Sequence, residues 1–158
     1  MQRDLRHASA GAIGGLVATL PMSAVMIAAQ RAGLMGEMPP RKITEAALEA
    51  AAADDDVPSP ATDALTVAVH FGFGAVSGAV FGLVHGRLPR FVPGVPHGMV
   101  FGALVWAGSY MGWVPALGIM PSVPRDRTGR PESMVVAHLV FGAVLGAVVE
   151  RLTSRDRR

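Results

Sequence analysis

No cysteine occurs anywhere in this 158-residue chain. That excludes disulfides, thiolate-bound zinc, iron–sulfur clusters and covalently attached haem. Charge is also scarce: 16% of the residues are Asp, Glu, Lys or Arg, against roughly 25% in a soluble domain. Lysine is nearly missing, with Lys42 alone beside thirteen arginines. The sequence has no P-loop, no G-x-S-x-G, no H-E-x-x-H and no dinucleotide fingerprint, so none of the chemistries those motifs carry is signalled. No catalytic residue is expected, and the chain reads as a non-enzyme.

What the chain has instead is apolar length. It is 51% hydrophobic, with a mean hydropathy of +0.39. The charges cluster, leaving residues 8–30, 64–86, 91–124 and 133–149 without a single one. The first three windows exceed the ~18 residues of a membrane-span candidate, and the fourth reaches it if Glu150 sits at the membrane edge. Buried helices of a soluble bundle need a polar outer stripe, and these have almost none. The pattern predicts an all-α polytopic membrane protein, a single domain over residues 1–158. Its spans are expected at about 8–31, 60–86, 96–119 and 132–152, with a short surface helix at about 40–53 between the first two. Arg3 and Arg6 ahead of an apolar run resemble a signal peptide. The run outlasts the ~7–15 residues of a signal core and lacks a small-x-small cleavage site, so the first helix is expected to be retained.

Local signals punctuate these elements. Pro21 should kink the first span and Pro115 disturb the third, because proline removes a backbone donor. Pro40 suits a first helical position, Arg41 can pair with Glu45 one turn on, and the acids Asp54, Asp55 and Asp56 should stop that surface helix. Ser59 and Pro60 read as the N-cap and first turn of the second span. The pI near 9.9 reflects basic residues flanking the spans, so no nucleic-acid partner is expected. Four spans put both termini on one side, which holds eight Arg/Lys residues against six on the other. The positive-inside rule then places both termini in the cytoplasm.

One phrase is written twice. HFGFGAVSGAV begins at His70 and HLVFGAVLGAV at His138. Each copy lies on the second helix of a helical hairpin. The expected arrangement is two duplicated hairpins related by a pseudo-twofold axis along the membrane normal. Glycines recur every four residues at Gly74, Gly78 and Gly82 on the second span and at Gly142 and Gly146 on the fourth. Small residues at that spacing open a groove for a neighbouring backbone, in this chain or in another subunit. His70 and His138 share helix faces with Gly74 and Gly142, so both are expected on inward faces at similar depth. Three roles stay open for them: neutral structural partners, a pair of haem or metal ligands, or part of a proton or solute path. No cofactor and no metal is expected; if one binds, His70 and His138 are the candidates. Trp113 and Tyr110 read as interface anchors, while Trp106 lies deeper and packs.

GGLVATLPMSAVM near the start, MPPRK after the first span and HLVFGAVLGAVVE near the end resemble the YagU-like families of small uncharacterised bacterial inner-membrane proteins. That resemblance implies a multi-pass protein of the bacterial plasma membrane and supplies no catalytic residue. The leading functional expectation is a small integral membrane protein acting through glycine-mediated helix packing, by self-association or by binding another membrane protein within the bilayer. The alternatives are a histidine-dependent proton or small-solute transporter or channel, and a haem- or metal-binding membrane protein.

Overall fold

The structure, a computed structural model, describes residues 1–51, 58–89 and 91–154. Among them are five helices and no strand: α1 (Gln2–Arg31), α2 (Pro39–Ala50), α3 (Ser59–His85), α4 (Gly94–Ala116) and α5 (Arg130–Ser154). A short 3-10 turn at Val123–Arg125 lies between α4 and α5. All but α2 are long and apolar enough to cross a membrane.

The helix ends differ from the sequence expectation in instructive ways. α1 begins at Gln2 rather than near residue 8, because Arg3 and Arg6 continue the helix past the apolar window. Pro21 lies inside α1 without ending it. Pro58, not Ser59, is the N-cap of α3, and Pro39 rather than Pro40 opens α2. α2 ends at Ala50, and the acidic triplet expected to stop it lies outside the described residues. α1 and α4 close alike. Gly33 (φ +76°) and Gly118 (φ +72°) adopt the left-handed conformation. The next amide in each case reaches back to the third-last helical carbonyl, Leu34 N–H to Ala29 O and Ile119 N–H to Val114 O. This is the Schellman closure that glycine makes cheap.

Packing is dominated by α1 with α3, α4 with α5, and α1 with α5; α3 and α4 barely touch. The spatial order is therefore α3–α1–α5–α4. The core is formed by Ala18, Met22 and Met26 of α1, Phe81 of α3, Tyr110 and Val114 of α4, and Met134, Phe141, Leu145 and Val149 of α5.

The third span is not a plain helix. From Ala107 to Trp113 it widens into a π-helical segment, and Gly112 (φ −104°, ψ −107°) leaves helical geometry altogether. The break thus precedes Pro115, where the sequence placed it. A π segment accommodates inserted residues and tends to re-aim side chains. Here Gly98 to Gly118 is two residues longer than the matching stretch Gly15 to Gly33.

Candidate functional site: an intramembrane cavity beside two glycine seams

The glycines come first, because they fix where the helices lie. A Cβ added to Gly15 would run into Gly74 O, one on Gly11 into Gly78 O, and one on Gly82 into His7 O. In the second hairpin a Cβ on Gly142 would overlap Gly98 O, one on Gly146 Gly94 O, and one on Gly102 His138 O. Backbone therefore lies on backbone along both seams, close enough for Cα–H to carbonyl contacts. The two seams share a register: Gly11 and Gly15 face Gly78 and Gly74 as Gly94 and Gly98 face Gly146 and Gly142. The repeated phrase occupies corresponding places in the two hairpins. Every glycine in these grooves is matched by a helix of its own chain.

The correspondence stops at the hairpins. A twofold bundle would pack α3 on α4 as closely as α1 on α5. At the α1–α5 contact Gly14 admits α5, with Leu145 Cδ1 and Val149 Cγ2 at 3.1 and 3.3 Å from where its Cβ would stand. The residue preceding the matching glycine on α4 is His97, and it meets aromatic bulk. Phe81 lies 5.0 Å from the His97 ring and 5.3 Å from Phe101, and stacks on His85 at 5.4 Å. His85 Nδ1 and His97 Nδ1 are 3.0 Å apart, which requires one to donate and the other to accept. This stack props α3 away from α4 at the end of the bundle that carries both termini.

In the other half the gap between α3 and α4 becomes a cavity of about 110 Å³. That is several times what one water needs. His70 and Phe73 of α3, Tyr110 and Trp113 of the π segment, and Met134 and His138 of α5 line it, with Thr19, Met22 and Met26 from α1. Both sequence-predicted histidines thus face one space. Its surface is nearly all apolar, and most of its polar atoms are already bonded. Thr19 Oγ1 donates to Gly15 O (2.8 Å) and Ser109 Oγ to Val105 O (2.7 Å). His138 Nδ1 donates to Met134 O at 2.8 Å, leaving Nε2 as the lone-pair nitrogen of the neutral ring. His70 Nε2 is buried and has no hydrogen-bond partner among the described residues. An unmet buried polar atom costs about 1–3 kcal/mol.

Two constructions frame the cavity, and sequence reading placed neither of them there. Tyr110 was expected at the outer interface, but its ring is only 4% exposed and its hydroxyl donates to Asp126. Asp126, whose side chain is 1% exposed, also takes Arg130 Nη1 at 2.7 Å. Arg130 Nε donates to Met35 O and Arg127 Nη2 to Gly33 O, both at 2.8 Å. The α4–α5 loop is thereby tied to α4 and to the turn after α1. The second construction is α2, whose Pro39, Pro40 and Ile43 form the cavity wall farthest from the termini. Arg41 holds it to α3, donating Nε to Glu45 at 2.6 Å, as its spacing predicted, and Nη1 to Asp63 at 2.5 Å. The hydrogen bond to Glu45 and the Asp63 charge raise the Arg41 pKa. Lys42, 2.8 Å from Glu37, is raised by that hydrogen bond, and Glu37 is lowered by the same contact. Among the described residues no cluster of three or more His, Asp or Glu is placed to hold a metal.

The fold and site define a class: a four-span, all-helical membrane protein with an apolar cavity between its second and third spans. Over residues 5–158 the chain matches the model of a family of unknown function (DUF6789), and it belongs to that family. No curated protein matches it, and no solved structure does.

Proposed function

We propose that the chain is a non-enzymatic binding protein of the membrane. Its cavity takes a largely apolar ligand bearing one hydrogen-bonding group. The observation that carries this reading is His70 Nε2, an unpartnered nitrogen on an otherwise apolar cavity. The glycine seams support it by holding the helices that shape the cavity. Association with a second copy or another membrane protein would then use lipid-facing side chains such as Val76 and Leu104, both more than half exposed. The YagU-like likeness and the bacterial plasma-membrane location that it implies belong to the same proposal, as do cytoplasmic termini, which the arginine distribution supports.

A diazirine-bearing octanol tests it. Photolabelling of the full chain should concentrate on residues lining the cavity. Excess 1-octanol should suppress it, octane should do so less, and His70→Phe should weaken it several-fold. Labels spread evenly over Val76, Leu104 and the cavity residues would sink the proposal. A histidine-dependent solute path is the second reading, because both imidazoles share the cavity. It needs a route past the Phe81–His85–His97–Phe101 stack, and proteoliposomes with no flux above empty vesicles would end it.

A further inference from the structure

A second, larger pocket of about 440 Å³ lies at the opposite end of the bundle, where α1 begins and α3 and α5 end. Arg3, Arg6, His7 and His85 line it, and among the described residues its lining holds no Asp or Glu. Arg3 directs Nη2 to Gly86 O at 2.8 Å, a neutral acceptor, and forms no ion pair with an acid among the described residues. Asp4, the acid nearest in sequence, is engaged by Arg87 Nη2 at 3.3 Å and by the amino terminus at 3.6 Å. Glu150 accepts the Gly94 amide at 3.0 Å. The first turn of α1 has no side-chain cap, so its amide dipoles add positive potential at the same place. Gly86 keeps the pocket open, because a Cβ there would meet the His7 ring at 2.7 Å.

Depth and lining both indicate what this charge faces. α1 has 30 residues, roughly 45 Å at 1.5 Å per residue, against a hydrocarbon layer of ~30 Å. Its uncharged window begins at Ala8, so residues 2–7 reach the head-group layer. The basic side chains share the pocket with Leu88, Pro89 and Val92. This combination suits a phosphate continuous with an apolar body.

We propose that this pocket binds phosphate, supplied by the head group of an anionic phospholipid. Arg3 makes the charged contact, as arginine favours phosphate oxygens, and the amide dipoles of α1's first turn add to it.

Native mass spectrometry of the full chain, with dioctanoyl phosphatidylglycerol, dioctanoyl phosphatidylcholine or inorganic phosphate added, tests it. Phosphatidylglycerol should bind about tenfold more tightly than phosphatidylcholine, whose trimethylammonium is repelled by the arginines. Arg3→Gln should remove most of that preference, Arg3→Lys should keep part of it, and Arg31→Gln at the other end of α1 should leave it intact. Equal retention of the two lipids overturns the proposal, and so does an equal loss from Arg31→Gln and Arg3→Gln. Inorganic phosphate that saturates the pocket while phosphatidylglycerol does not bind would overturn the lipid as the source. Should Arg3→Gln fail to fold, displacement of phosphatidylglycerol from the unaltered chain by inorganic phosphate carries the test, and failure to displace it counts against the site.

Discussion

Two glycines on one helix make opposite demands. Gly72 and Gly78 both lie in α3, yet a Cβ on Gly72 meets nothing within 4 Å, whereas one on Gly78 overlaps Gly11 O and lies 2.8 Å from Gly15 Cα. Alanine in place of an open helical glycine gains about 1 kcal/mol of backbone propensity. Overpacking against a backbone that cannot retreat costs about 1–3 kcal/mol, and more for a larger side chain. Gly72→Ala should therefore hold or raise the melting temperature in detergent, and Gly78→Ala should lower it by several degrees. Gly78→Leu should prevent the α1–α3 hairpin from closing. Equal melting temperatures for Gly72→Ala and Gly78→Ala would remove the packing role of that seam. The buried Asp126–Arg130 pair makes a similar demand through charge. Asp126→Ala leaves the Arg130 guanidinium and the Tyr110 hydroxyl without their shared carboxylate, a loss of the order of 3–5 kcal/mol for a buried pair.

At the scale of elements, α2 depends most on exposed charge. Thr44 is buried and its hydroxyl donates to Pro40 O within the helix, while the side-chain polar ties from α2 to its neighbours among the described residues are ionic. Arg41→Gln should loosen α2 from α3 and speed hydrogen exchange of its amides while leaving the four long helices protected; unchanged exchange would mean that apolar contacts suffice. Glu37 adds a pH dependence. Its folded pKa is lowered by Lys42, so its contribution is complete above the ordinary glutamate range and is lost as pH falls through the lowered value. Protection of the α2 amides, measured against the intrinsic exchange rate at each pH, should fall on that acidic side, and Glu37→Gln should abolish the part of the response that Glu37 supplies. The elements were legible to different degrees for physical reasons. Uncharged windows report burial in lipid directly, so all four spans stand in the sequence. The repeated His-Phe-Gly phrase reported the shared seam register, because seam glycines must recur with the helical period. The π segment at Ala107–Trp113 was not legible, since uncharged apolar text reads alike for α- and π-helical geometry. The burial of the Asp126 side chain was not legible either, because it depends on Tyr110 and Arg130, from two separate segments.

Across the whole molecule, the sidedness rests on arginines. Those in the first turns of α1 and beside Gly86 lie at one end, and Arg31, Arg127 and Arg130 at the other. Reporter fusions after Lys42 and Arg127 should read outside the cytoplasm, and one at the carboxyl terminus inside. The reverse pattern would invert the protein, and opposite readings for the two termini would remove a span. Among the described residues the seam that joins the hairpins, α1 on α5, unites the first of the four spans with the fourth. During synthesis the α1–α3 hairpin is complete while α5 is still unmade, and Gly14 then lacks the Leu145 and Val149 side chains that it meets in the finished bundle. Assembly therefore cannot be committed early: the bundle acquires its spine only when α5 joins α1. A chain that stops before Arg130 carries three inserted spans and an open flank, a form that a membrane protease can tell apart from the finished molecule by that flank alone.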